Sequence, residues 1–133
     1  MVAETRILQC RPAHAKIESM LGEPVVAQTD VAALPAEFGS AAVLLDVRED
    51  DEWKRGHAAD ARHIPMAEVP ARLGEIDRDA ELYVICHAGG RSLRVAQYLQ
   101  QNGYRAINVS GGMLAWAGAG RLVITDDGGP GSV

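Results

Sequence analysis

Leu82-Tyr83-Val84-Ile85-Cys86-His87-Ala88-Gly89-Gly90-Arg91-Ser92 passes from an apolar run through one cysteine and two glycines into a stretch free of helix breakers. Leu82 to Ile85 is short, β-branched and aromatic, and it follows the charged segment Asp77 to Glu81. It is expected as a buried strand with Cys86 at its carboxyl end. Arg91 to Gln101 sets Val95, Tyr98 and Leu99 on one face and stops at Asn102-Gly103, which predicts a helix. Strand, tight loop and helix therefore meet at a thiol.

The flanking sequence repeats that plan. Ala42 to Val47 is a second apolar run ending in charge, at Asp46 and Arg48, and Ala106 to Val109 is a third, turning at Ser110-Gly111-Gly112 into a short helix over Met113 to Trp116. Glu49 to Lys54 suits one or two helical turns closed by Gly56-His57, His63 to Pro65 a short strand, and Met66 to Leu73 a helix with Pro70 near its start. Upstream, Val25-Val26 predicts a short strand, and Thr29-Asp30 caps a brief helix over Val31 to Leu34. Strands alternating with helices at this spacing predict an α/β, three-layer fold with a mainly parallel sheet of about five strands and helices on both faces. In such sheets ligands bind beyond the carboxyl ends of the strands, so Asp46, Arg48 and Cys86 share one rim. Residues 1–22 are expected as an N-terminal extension whose helix opens at Arg11-Pro12 and carries Ala13, Ile17, Met20 and Leu21. The domain proper spans 23–124, and 125–133, rich in Asp and Gly, reads as a flexible tail.

Bulk properties limit the function. A chain of 133 residues with 47% hydrophobic content holds one domain with a real core. A formal charge of -5, without clustered basic residues among aromatics, argues against nucleic acid as a partner. No stretch approaches a membrane span and Met1 to Cys10 does not resemble a secretory signal, so the expected setting is cytoplasmic, with no membrane partner. Cys10 and Cys86 make no disulfide framework and are expected as thiols, Cys10 as a small idle one. Neither a metal nor another cofactor is implied: Cys86 with His57, His63 or His87 lacks a convincing ligand spacing. Monomer and homodimer both fit, with the N-terminal helix as the candidate interface.

Cys86 is the candidate nucleophile. An unperturbed thiol is only a few per cent ionised at neutral pH, so half-ionisation needs a shift of roughly two units, about 2.7 kcal/mol. A helix N-terminus supplies about 0.3 to 2 kcal/mol, whereas each charge-assisted hydrogen bond from a loop N–H contributes on the order of 1.5 to 3. Two or three such donors suffice, and Ala88-Gly89-Gly90 lets the backbone curl around a sulfur or a bound anion. Arg91, a cation in the first turn of a helix, opposes the macrodipole. Its charge is offset by a bound anion, by an ion pair with Asp46 or Glu52, or by each in a different ligation state.

The ordered set Leu45-Asp46-Val47-Arg48, Glu52-Trp53, Gly56-His57, Ala61-Arg62-His63-Ile64-Pro65, Cys86 to Ser92, and Gly111-Gly112-Met113 with Trp116 resembles the small single-domain rhodanese-like sulfurtransferases, over about Val25 to Leu122. Two departures, the charged stretch Ala58 to Arg62 and Met66 in place of a short polar turn, lie away from the cysteine loop. The resemblance implies a rhodanese-like fold and ping-pong sulfur transfer. Cys86 would accept sulfur from a small anionic donor such as thiosulfate, forming a persulfide, and pass it to cyanide in assays or to low-molecular-weight or protein thiols in cells. It also implies that His87, Ala88, Gly89, Gly90 and Arg91 form the anion-binding loop, that Ser92 caps the helix, and that Asp46, Arg48 and His57 fix neighbouring segments. His87 either assists anion binding at the mouth or faces solvent.

Two other classes share the strand-cysteine-loop-helix device. Phosphatases and arsenate reductases place five residues between cysteine and arginine, enough to encircle a tetrahedral anion. Here four separate Cys86 from Arg91, and Ser92 occupies the phosphatase arginine position. A non-enzymatic persulfide carrier or redox sensor is the other alternative, and it differs from an enzyme in turnover rather than in loop sequence.

Overall fold

The computed structural model describes residues 26–133. The expected N-terminal helix, the proposed extension 1–22, Cys10 and Val25 lie outside the described residues. Five strands, β1 (Ala27–Thr29), β2 (Ala42–Asp46), β3 (Arg62–His63), β4 (Glu81–Ile85) and β5 (Arg105–Val109), form one sheet in the order β1-β5-β4-β2-β3. Every pairing is parallel, so all carboxyl ends share one edge. The central strands are buried on both faces, which is why they read as unbroken apolar runs rather than alternating ones.

Side-chain alternation divides the core. Leu45, Leu82, Val84 and Ala106 point to one face, with Val95, Ala96 and Leu99 of α2 (Gly90–Gln101) and with Val69 and Ile76. Leu44, Ile85 and Val109 point to the other, with Met113 and Trp116 of α3 (Gly112–Gly118), Val31 and Leu34. The helix α1 (Asp50–Arg55) buries no residue completely and lies beyond β2 on the edge that carries the site. Its capping box joins Glu49 and Glu52.

Two local expectations change. The helix expected over Met66 to Leu73 is instead a pair of 3-10 segments, Met66–Glu68 and Pro70–Glu75. Pro70 brings no N–H to a continuing ladder, and Arg72 leaves helical geometry at φ -116°, ψ 20°. Residues 125–133, expected as a flexible tail for want of apolar side chains, are held by backbone bonds instead. Ile124 bridges both His57 and Pro130, Gly131 N–H donates to Val123, and Ser132 N–H donates to Arg55. Backbone pairing against the turn after α1 holds the segment, and Val133 at its end packs against the core. Asp30 caps the turn Val31–Ala33 as expected, its carboxylate accepting from Ala33 N–H at 3.0 Å.

Candidate active site

Cys86 directly follows the last residue of β4 and is 1% exposed. Gly89 takes a left-handed conformation at φ 116°, open to a residue without Cβ, and this folds the chain back so that its N–H reaches Cys86 Sγ at 3.1 Å. The Ser92 hydroxyl lies 3.3 Å from the same sulfur. Burial pushes the thiol up. Hydrogen bonds from the Ser92 hydroxyl and from the backbone N–H groups of Ser92, Gly89 and Ala88 outweigh it, so the Cys86 pKa is lowered overall.

The loop carbonyls are drawn the opposite way. Met113 N–H donates to Cys86 O at 2.7 Å and Leu114 N–H to His87 O at 3.0 Å, so the start of α3 holds the back of the loop while its amides face the sulfur. Gly112 permits this contact. Its φ is 56°, and a Cβ there would overlap the carbonyl oxygens of Cys86 and His87.

Arg91 is occupied. Its two terminal nitrogens meet Glu52 Oε1 and Oε2 at 2.6 and 2.9 Å, a bidentate pair between α2 and α1. The Arg91 guanidinium holds the Glu52 carboxyl down at about 2 against burial. The expected ion pair of this helix-start cation is with Glu52 rather than Asp46, whose partner is Arg48. A chain of contacts supports Glu52 from beneath. Arg48 and Asp46, both essentially inaccessible, form a buried ion pair at 2.7 Å. Arg48 also donates to Gly56 O at 2.8 Å and to Glu52 O at 3.5 Å, so its guanidinium ties β2 to the end of α1.

His57 belongs to the same scaffold. Its Nδ1 meets Trp53 O at 2.8 Å, its ring stacks on Trp53 at 3.6 Å, and its Nε2 lies 3.5 Å from Asp126. His63 stacks on Trp53 as well, at 4.6 Å, and its Nε2 meets Arg48 O at 2.8 Å. Beside the loop, a polar cavity of about 210 Å³ is lined by Arg48, Glu52, Arg55, His87 and Val133. His87 is half-buried, while Ala88 and Gly90 are exposed at the rim. Ser92 is not the cap: Gly89 occupies that position, and Ser92 sits one turn inside α2 with its hydroxyl toward Cys86. Sequence reading missed Asn108, whose amide reaches the Ser92 hydroxyl at 2.6 Å. A polar residue interrupting the apolar run of β5 was the available signal.

Residues 29–119 match the rhodanese-like domain family. The chain belongs to the rhodanese-like family. Among curated relatives, a putative sulfurtransferase of Bacillus subtilis is 44% identical over 75 residues, covering 56% of this chain and 73% of the relative. A sulfurtransferase of Allochromatium vinosum is 37% identical over 87 residues, 65% of this chain and 81% of the relative. The crystal structure of a rhodanese-like domain protein from Staphylococcus aureus superposes with a TM-score of 0.65 at 33% identity, covering 68% of this chain and 91% of that one. Among the described residues, no helix is long and apolar enough to cross a membrane, and no three metal-binding side chains come together.

Proposed function

We propose that this rhodanese-like domain is a sulfurtransferase that carries sulfane sulfur as a persulfide on Cys86. The observation that carries the reading is the cradle: a buried sulfur at the carboxyl edge of a parallel sheet, met by Gly89 N–H and by the Ser92 hydroxyl. Such a ring stabilises an anion on sulfur, which both the attacking thiolate and the product persulfide require. With thiosulfate, the Cys86 thiolate forms a bond to the outer sulfur as the sulfur–sulfur bond of the donor breaks, and sulfite leaves with that electron pair. An acceptor thiolate then attacks the terminal sulfur, and Cys86 departs as the thiolate again. The likeness to relatives named as sulfurtransferases supports the same reading.

The roles divide by contact. Cys86 is the nucleophile, the backbone from His87 to Ser92 is the cradle, and Arg91 braces the loop through Glu52 rather than holding the donor. Asp46, Arg48 and His57 fix α1, which presents Glu52. A carrier that delivers one sulfur to a protein partner is the second reading, favoured by the bidentate pairing of Arg91 with Glu52 and by 41% identity over 76 residues to a putative sulfur carrier protein of Bacillus subtilis. Thiocyanate formation from thiosulfate and cyanide tests the enzyme. The protein should turn over repeatedly and Cys86→Ser should form none, whereas a thiol that alkylates normally yet yields no thiocyanate contradicts it. Turnover only after addition of a protein thiol would favour the carrier.

A further inference from the structure

The Ser92 hydroxyl has one hydrogen and three acceptors around it. Asn108 Oδ1 lies at 2.6 Å, Gly89 O at 3.2 Å and Cys86 Sγ at 3.3 Å. Asn108 Oδ1 and Gly89 O therefore compete with Cys86 Sγ for that one hydrogen, and the nearest acceptor weakens the one side-chain donor that the sulfur has among the described residues. Ser92 is fully buried and Asn108 is 2% exposed, so water has no ready access to serve as a substitute. Asn108 Nδ2 in turn donates to Gln28 Oε1 at 3.1 Å, and Ser110 Oγ donates to the same oxygen at 2.9 Å. Gln28 is exposed, so its amide is free to turn.

An amide turned over keeps its shape and exchanges donor for acceptor. With Asn108 and Gln28 both turned, Gln28 Nε2 donates to Asn108 Oδ1, Asn108 Nδ2 donates to Ser92 Oγ, and the Ser92 hydrogen is released toward Cys86 Sγ. Each hydrogen bond along the row survives with its direction reversed, so the two states differ mainly in whether the sulfur shares the Ser92 hydrogen with Asn108 or receives it without that competition. We propose that Asn108 is a positioning residue for the sulfur nucleophile, its amide donating to Ser92 Oγ in the thiolate and persulfide states and so aiming the Ser92 hydroxyl at Cys86. Asn108 touches no reacting atom and acts through Ser92. The inference rests on Cys86 being the nucleophile, but its test uses no sulfur donor and therefore stands apart from the thiocyanate assay.

The rate of Cys86 alkylation by iodoacetamide is followed against pH in the protein and in Asn108→Leu, Ser92→Ala and the double variant. One charge-assisted hydrogen bond lost corresponds to about a tenfold slower alkylation at a pH below the thiol's midpoint. Asn108→Leu should show that loss with its profile moved to higher pH, Ser92→Ala should show a similar one, and the double variant should be no slower than Ser92→Ala. A profile unmoved by Asn108→Leu, or one moved equally with and without Ser92, overturns the proposal. If thermal melting shows that the leucine variant does not fold, Asn108→Asp, which keeps the shape and holds the Ser92 hydrogen, replaces it. Its shift should shrink in the Ser92→Ala background, and an undiminished shift, attributable to charge alone, overturns the proposal.

Discussion

Glu52→Gln isolates the brace between α1 and the cysteine loop. Glutamine keeps the shape and can still accept from Glu49 N–H, the capping contact at 3.0 Å, but it cannot form the charged bidentate pair with Arg91. The Glu52 pKa is lowered from 4.5 to about 2, most of all by hydrogen bonds from Arg91 and further by the Glu49 N–H and the Arg48 charge, against burial. A shift of that size corresponds to about 3.4 kcal/mol at 1.36 per unit, and solvent screening of an arginine that is one-third exposed reduces it to about 1–2 kcal/mol. Because the folded-state value is depressed, this contribution is complete above the unfolded pKa and is lost as pH falls through 4.5 toward 2. At neutral pH the variant should melt about 3–8 °C lower than the parent. By pH 3 more than half of that difference should be gone, since the parent has then lost most of what the variant never had. Thermal melting of both proteins across that range is the assay. A difference that persists undiminished to pH 3, or no difference at pH 7, would refute the assignment of a stabilising Glu52–Arg91 pair.

Other perturbations separate the remaining parts. Arg48→Met leaves Asp46 buried without its partner and removes the bonds to Gly56 and Glu52, so urea unfolding should show a loss of about 3–5 kcal/mol. Gly112→Ala places a Cβ against the Cys86 and His87 carbonyls, in a positive-φ conformation, and should cost upward of about 2 kcal/mol while displacing the loop, read as slower alkylation of Cys86. Arg91→Ala should lower sulfur transfer from anionic and uncharged donors by similar factors, because Glu52 already holds the guanidinium. A loss confined to anionic donors would return Arg91 to substrate binding.

How much of this was legible in the sequence depended on the range of the interaction. The strands around Leu44 and Val84 were plain because strands buried on both faces leave continuous apolar runs, and their shared polarity placed Cys86 on the same rim as Asp46 and Arg48. The cradle was legible too, since glycines next to a cysteine have few other uses. Contacts across long separations were not. Nothing local distinguished an Arg91 that binds an anion from one that meets Glu52, 39 residues earlier, and the pair was one of the open solutions. Ser92 looked like a cap because serine near a helix start usually is one, yet the left-handed Gly89 took that position and freed the hydroxyl for sulfur. The segment 125–133 misled for a related reason. Its composition shows how little apolar surface it buries and says nothing of backbone bonds to Arg55 and Val123.

Sulfur transfer through Cys86 stands or falls on one intact-mass measurement. After incubation with thiosulfate and removal of the excess, the protein should be heavier by the mass of one sulfur atom. The gain should map to Cys86, disappear on treatment with cyanide or dithiothreitol, and be absent in Cys86→Ser. An unchanged mass, with the Cys86 thiol still open to alkylation, would contradict a persulfide-forming sulfurtransferase.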